Sequence, residues 1–147
     1  MAVSVAGLAS ITMEEGKVNR VYYDAVAIPT VCVGHTATVT RADIGKVFTD
    51  ETCDQLLRSD TAHAVKGVGR CVLQPITQNQ FDALVSFTFN VGTGALCSST
   101  LVRKLNDGDC KGAAAEFSRW NKAKGRVLTG LTKRRAHERA KFEADCP

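Results

Sequence analysis

"EEGKVNRVYYDAVAIPTVCVGHT", residues 14–36, decides the architecture. Upstream of it, residues 1–13 (MAVSVAGLASITM) carry no charge and read as an amphipathic helix, continuing from about Ala6 to Gly16. From Val18 to Val39 the composition changes to Val, Tyr, Thr and Ile, interrupted by Pro29 and Gly34. That pattern predicts two or three short strands. A helix giving way to short strands points to an α+β fold with a small β-containing part near the N-terminus. The same stretch places Glu15, Asp24, Thr30 and His35 within two dozen residues. These are residues with chemistry to offer, at the boundary where the helix should end.

Downstream, the pattern is helical. Thr49 is a plausible N-cap, with Asp50 and Glu51 in the first turn, where the helix dipole favours anions. Cys53, Leu56, Leu57, Ala64 and Val65 fall near helical spacing, and Gly67 to Gly69 is where this helix is expected to stop. Thr77-Gln78-Asn79-Gln80 matches a capping box. The helix it opens carries Phe81, Leu84, Val85, Phe87, Phe89 and Val91 nearly all round, so it should be the buried central helix. Two short helices, about 99–105 and 110–120, flank the turn Asn106-Asp107-Gly108, and a basic last helix covers about 132–145. No repeat or low-complexity linker divides the chain. The expectation is one domain over 1–147. It comprises a small lobe at about 17–48, a connecting helix at about 50–67, and a helical lobe at about 70–147 joined by the N-terminal helix.

A chain of 147 residues is long enough to bury a core without cross-links. Its net charge of +4 is uneven. Residues 1–100 carry 7 basic and 9 acidic side chains, a net of −2, and residues 101–147 carry 12 and 6, a net of +6. The basic C-terminal third is either a solvated helix face or a surface for an anionic partner. Six cysteines (Cys32, Cys53, Cys71, Cys97, Cys110, Cys146) form no C-x-x-C pair, and His35, His63 and His137 form no H-x-x-x-H. No metal site is therefore expected. The even count favours disulfides and an oxidising compartment over buried thiols, without choosing the pairing. Residues 1–13 are shorter than the roughly 20 apolar residues a membrane span needs, and lack the basic start of a signal peptide. They read as a helix packed on the core, or as the remnant of a longer anchor.

Two carboxylates across a gap are what glycosidic hydrolysis needs. One must be protonated, to donate to the leaving oxygen, and the other ionised, to serve a water or a positive transition state. A helix end beside apolar Val and Ile would desolvate Glu15 and raise its pKa, while a more exposed Asp24 would stay charged. The Thr30 hydroxyl both donates and accepts, so it can hold a water. Glu, Asp and Thr are common residues, and spacing alone does not separate a reaction centre from a solvated surface.

The motifs add specificity. Glu15-Gly16, Tyr22-Tyr23-Asp24, Pro29-Thr30-Val31 and Gly34-His35-Thr36 resemble the E-G … Y-x-D … T-x-G-x-G-H-T signature of phage-type lysozymes, the endolysins of glycoside hydrolase family 24. The runs "ITQNQFDALVSFTFNVGTGA" (76–95), "SSTLVRKLNDGDCKGAAAEFSRWNKAKG" (98–125) and "GLTKRRAHERAKF" (130–142) are similar to the same family. The resemblance implies a mostly helical, two-lobed α+β fold with the active site in a cleft between the lobes. It implies a bacteriolytic enzyme that hydrolyses the β-1,4 bond between N-acetylmuramic acid and N-acetylglucosamine in peptidoglycan, inverting at the sugar. Carried over by position, Glu15 is the general acid, Asp24 the second carboxylate and Thr30 the residue that positions water. No cofactor, metal or nucleic acid is implied. The expected protein is a monomer acting on the host cell wall from the periplasm, with the route of export left open.

Two positions depart from the family's pattern. Ala27 stands where a Gly is usual, and Cys32 replaces the first Gly of T-x-G-x-G-H. Glycine there would mark positive φ or close packing. By strand alternation Thr30 and Cys32 should share a face. Cys32 then reads as a small core residue, a disulfide partner (Cys53 being one candidate), or a redox-sensitive thiol. His35 reads as a structural tie, Ser98, Ser99 and Thr100 as a helix cap or sugar contacts, and Trp120 as core rather than a sugar platform. Lys133, Arg134, Arg135, Arg139 and Lys141 on the last helix read as a basic face. That face would be drawn to anionic wall or outer-membrane lipids rather than to nucleic acid, for which no aromatic interleaving or zinc signature speaks. The rival readings are a lytic transglycosylase, a non-catalytic wall-binding module and a basic nucleic-acid binder.

Overall fold

A computed structural model describes all of residues 1–147. The fold is α+β and mostly helical. The chain divides into two compact units, residues 8–62 and residues 1–7 with 63–147. No helix is long and apolar enough to cross a membrane.

The first helix, α1 (Val5–Glu15), buries Leu8 and Ile11 while Val5 and Met13 stay exposed. It stops where Gly16 takes φ +80° and its N–H bonds Thr12 C=O at 2.8 Å. That left-handed residue just past the last turn is a glycine C-cap. Strands β1 (Val18–Tyr23) and β2 (Pro29–Cys32) pair antiparallel, with Tyr22 opposite Thr30 and Tyr23 opposite Pro29. The third strand left open by the sequence reduces to isolated bridges, Arg20 to Val47 and Val31 to His35. Val21, Val31, Cys32, Val39 and Cys53 make the small core here, with Ile44, Phe48 and Leu56 packed against it. Cys53 lies on α2 (Asp50–Cys71), and its disulfide to Cys32 ties the end of β2 to that helix.

Helix α2 does not stop at Gly67–Gly69 but runs to Cys71. Gly67 is a contact, not a terminator: a Cβ there would lie 2.6 Å from the Thr93 side chain. In the larger unit, α3 (Gln78–Val91) is buried along Gln80 to Thr88. Its capping box forms as expected, Thr77 Oγ1 accepting from Gln80 N–H and Gln80 Oε1 from Thr77 N–H. Short helices α4 (Thr93–Cys97), α5 (Thr100–Asn106) and α6 (Cys110–Glu116) follow. Ser99 caps α5 by accepting from Val102 N–H at 3.1 Å. A hairpin that the sequence did not reveal, β3 (Lys122–Ala123) and β4 (Arg126–Val127), precedes α7 (Thr129–Glu143). The two remaining disulfides, Cys71–Cys97 and Cys110–Cys146, close loops in this unit.

The basic face expected on α7 is only partly there. Arg134 and Arg135 are 4% and 1% exposed. Both pair with Glu138, itself buried, at 3.2 Å and 2.7 Å. Ser86 Oγ donates to Glu138 at 2.7 Å, and the Arg135 guanidinium lies 5.0 Å from the centre of the Phe87 ring. Burial pushes the Glu138 carboxyl above its usual range, against the pull of both guanidiniums and the Ser86 hydroxyl. These arginines are core, held by a charge one turn away on their own helix. Charge alone could not distinguish them from surface cations.

Candidate active site

Glu15 is the last residue of α1. It continues the buried Leu8–Ile11 stripe by one turn, but at the point where the chain leaves through Gly16, so the stripe runs out into solvent. Glu15 is exposed, as are its followers Gly16, Lys17 and Val18. The desolvation expected from neighbouring Val and Ile is therefore not supplied by this unit. Lys17 Nζ instead pairs with Asp50 at 2.9 Å. Asn19 Nδ2 donates to the same carboxylate and to Phe48 C=O, which fixes the start of β1 to the start of α2.

Asp24 and Thr30 are brought together by the backbone of one residue, Ile28. Asp24 Oδ1 accepts the N–H of Val26 at 2.9 Å and of Ile28 at 2.8 Å. The Ile28 carbonyl accepts Asp24 N–H at 2.9 Å and the Thr30 hydroxyl, also at 2.9 Å. Asp24 thus closes its own loop as an Asx turn. Both side-chain bonds fall on Oδ1, which leaves Oδ2 outside the loop's own bonding. Thr30 is 4% exposed, and with its proton committed to Ile28 its oxygen meets any further partner as an acceptor. Ile28 had no motif to betray it, because it acts through its backbone while its side chain is 45% exposed.

Both departures from the family's glycines occupy glycine-like backbone. Ala27 has φ +62° and Cys32 φ +60°. The turn between Asp24 and Thr30 is kept, at the cost of a Cβ in the left-handed region. Cys32 is fixed in that conformation by its disulfide to Cys53. It is neither a free thiol nor a simple strand residue: with the backbone turned at Cys32, Thr30, Val31 and Cys32 are all buried rather than alternating. No cysteine of the chain is free.

His35 is structural, as expected. It is 3% exposed, with Nδ1 2.8 Å from Asp60 and Nε2 2.6 Å from Thr38 Oγ1. Thr38 N–H lies 3.3 Å from the same Nε2. The ring fastens the segment after β2 to α2. Trp120 sits edge-on to Phe87 at 5.4 Å, half-buried, and so serves the aromatic cluster of the larger unit.

Comparison with known proteins shows the family. The sequence profile described as phage lysozyme matches residues 12–138. The chain is 41% identical over 150 residues to the endolysin of Bacillus phage PZA, covering 100% of this chain and 57% of that protein. It therefore spans little more than half of that relative's length. The endolysin of Acyrthosiphon pisum secondary endosymbiont phage 1 is 41% identical, with 98% of this chain and 99% of that protein covered. Among solved structures, a point mutant of P22 lysozyme superposes with a TM-score of 0.88 at 36% identity, covering 97% and 99% of the two chains. Taken with the motif on α1, β1 and β2, these matches show that the chain belongs to the phage lysozyme family.

Proposed function

We propose that this chain is an N-acetylmuramidase, a glycoside hydrolase that cuts the β-1,4 bond from N-acetylmuramic acid to N-acetylglucosamine in peptidoglycan and so lyses bacteria. The observation that carries this reading is the Ile28 clamp. It holds a carboxylate and a hydroxyl side by side, on the hairpin that follows a glutamate at a helix end. Glu15 gives its proton to the glycosidic oxygen as the bond from that oxygen to the anomeric carbon breaks. A water attacks the same carbon from the opposite side. Thr30 accepts one hydrogen bond from that water, and Asp24 Oδ2 takes the proton it loses. The chain leaves Glu15 exposed, where a glycan can reach it. No step needs a cofactor. The relatives named endolysin support the same assignment, and six paired cysteines suit the oxidising space in which a cell wall lies. We take the working form to be a monomer.

The test is mass spectrometry of purified peptidoglycan after digestion by the wild type and by Glu15→Gln. Reducing-end muramic acid from the wild type, lost by at least about 10²-fold in the variant, is the expected result. Anhydro-muramic ends would instead mark a lytic transglycosylase and remove the role of Asp24. Full activity in Glu15→Gln would overturn the site, and no products from either protein would leave a wall-binding module.

A further inference from the structure

We propose that the β3–β4 hairpin and the start of α7 form a docking surface for an anionic phospholipid bilayer. From Phe117 to His137 the chain carries seven Lys and Arg and no Asp or Glu. Three of the seven are used internally: Arg134 and Arg135 on Glu138, and Arg119 on Glu116. The other four, Lys122, Lys124, Arg126 and Lys133, are exposed and make no ion pair. They sit on one hairpin and the helix that follows it. Leu128 N–H bonds Asn121 C=O at 3.0 Å, and Asn121 Nδ2 bonds Thr132 Oγ1 at 3.3 Å, which fastens the hairpin to the first turn of the helix that carries Lys133.

Folding does not account for these cations. Lys124 forms the hairpin tip with φ +51°, next to Gly125 at φ +77°. That is a position suited to Gly, Asn or Asp and disfavoured for a lysine. Lys133, the fifth residue of α7, makes no ion pair with the chain either. A lysine kept at the tip against local preference, beside three further cations with no ion pair in the chain, points to a partner outside it.

The arrangement selects a bilayer among anionic partners. Lys122 pairs across the ribbon with Val127, and Ala123 with Arg126. Lys122 and Val127 therefore share one face, while Arg126 shares the other with Leu128, two residues on. Val127 and Leu128 are 59% and 44% exposed. Each face thus offers a cation beside an unburied aliphatic group. On either face a headgroup layer meets the charge and the aliphatic group together, with phosphates on the cation and acyl carbon beneath it on the aliphatic. Wall carboxylates would use only the charges. Nucleic acid would want an exposed ring for stacking, and Trp120 is turned onto Phe87.

The test is co-sedimentation with vesicles of phosphatidylcholine, with and without phosphatidylglycerol, at low and high salt. The wild type should bind only the anionic vesicles and be released by salt. Lys124→Gly is the informative single change, because glycine suits the tip and the fold should gain stability while one cation goes. Its binding should weaken about fivefold, and that of Lys122→Ser/Lys124→Gly/Arg126→Ser about 100-fold. Val127→Ser should weaken binding with the charge unchanged. Equal binding to both vesicle types, or anionic binding unchanged in the triple variant, would overturn the proposal. So would a triple variant that loses binding to lipid-free sacculi but not to vesicles, which would assign the hairpin to the wall polymer. None of these readouts depends on glycosidase activity.

Discussion

Asp24 does two jobs in the reading above, and its two oxygens separate them. Oδ1 holds the loop through Val26 and Ile28, and Oδ2 is left for the water. Asp24→Asn keeps an Oδ1 acceptor, so its thermal midpoint should match the wild type while peptidoglycan hydrolysis is lost. Asp24→Ala loses both backbone bonds as well and should cost roughly 1–3 kcal/mol in urea unfolding. A stable, active Asp24→Asn would remove the proton-accepting role. Thr30 allows a similar dissection. Thr30→Val leaves the Ile28 carbonyl without its hydroxyl donor and removes the acceptor for water, and should lower kcat on the order of 10²-fold. Thr30→Ser, with the hydroxyl restored, should recover most of that rate. At this scale the three residues proposed for the site stood out in the sequence through their motif. The clamp that joins two of them did not, because a backbone N–H and C=O leave no trace in residue type. Ala27 gave the nearest signal: where glycine is usual, a left-handed residue was to be expected, and φ +62° is what the chain adopts.

Elements were legible where a local cap or a strong period wrote them. The capping box of α3 is a four-residue statement that tertiary packing then confirms. The end of α2 misled because glycine has two uses, stopping a helix and admitting a neighbour, and Gly67 serves the second against Thr93. The β3–β4 hairpin was hidden because its strands are two residues each and its turn is Lys124-Gly125 rather than Asn-Gly. Helix α7 misled most. Its exposed Lys133 and its buried Arg134 and Arg135 are consecutive cations, and the buried pair is the one that meets Glu138. Glu138→Gln should therefore leave Arg134 and Arg135 buried without their countercharge. Its expected cost is about 3–5 kcal/mol, measured by urea unfolding. A loss within error of zero would mean that solvent reaches the guanidiniums and that the network is not a closed core.

Each disulfide closes a loop within its own compact unit, and the three are not equivalent. Cys32–Cys53 and Cys71–Cys97 span separations of 21 and 26 residues, so loop-closure entropy makes them nearly equal, at roughly 3 kcal/mol each. Their backbone settings differ. Cys32 is held at φ +60°, which disfavours an L-residue by roughly 1–2 kcal/mol, whereas Cys71 and Cys97 end ordinary helices. Replacing Cys32 by glycine removes the cross-link and the strained side chain together. Glycine's extra freedom in the unfolded chain returns about 0.5–1 kcal/mol of that relief. Cys32→Gly/Cys53→Ala should therefore lose less stability than Cys71→Ala/Cys97→Ala, by something up to about 1 kcal/mol. Paired urea titrations of the two double variants measure the difference. Ala27→Gly provides the control, since it relieves the same backbone conformation with no cross-link involved and should stabilise by a similar amount. If Ala27→Gly stabilises and the Cys32 variant gains nothing over the Cys71 variant, left-handed strain is real at the loop but already relaxed at Cys32. Cys32–Cys53 would then act as an ordinary staple. If the Cys32 variant retains its share of stability and also its hydrolytic rate, the disulfide substitutes for the glycine that the family usually places two residues after Thr30. The chain then holds a left-handed turn beside its proposed site by covalent means.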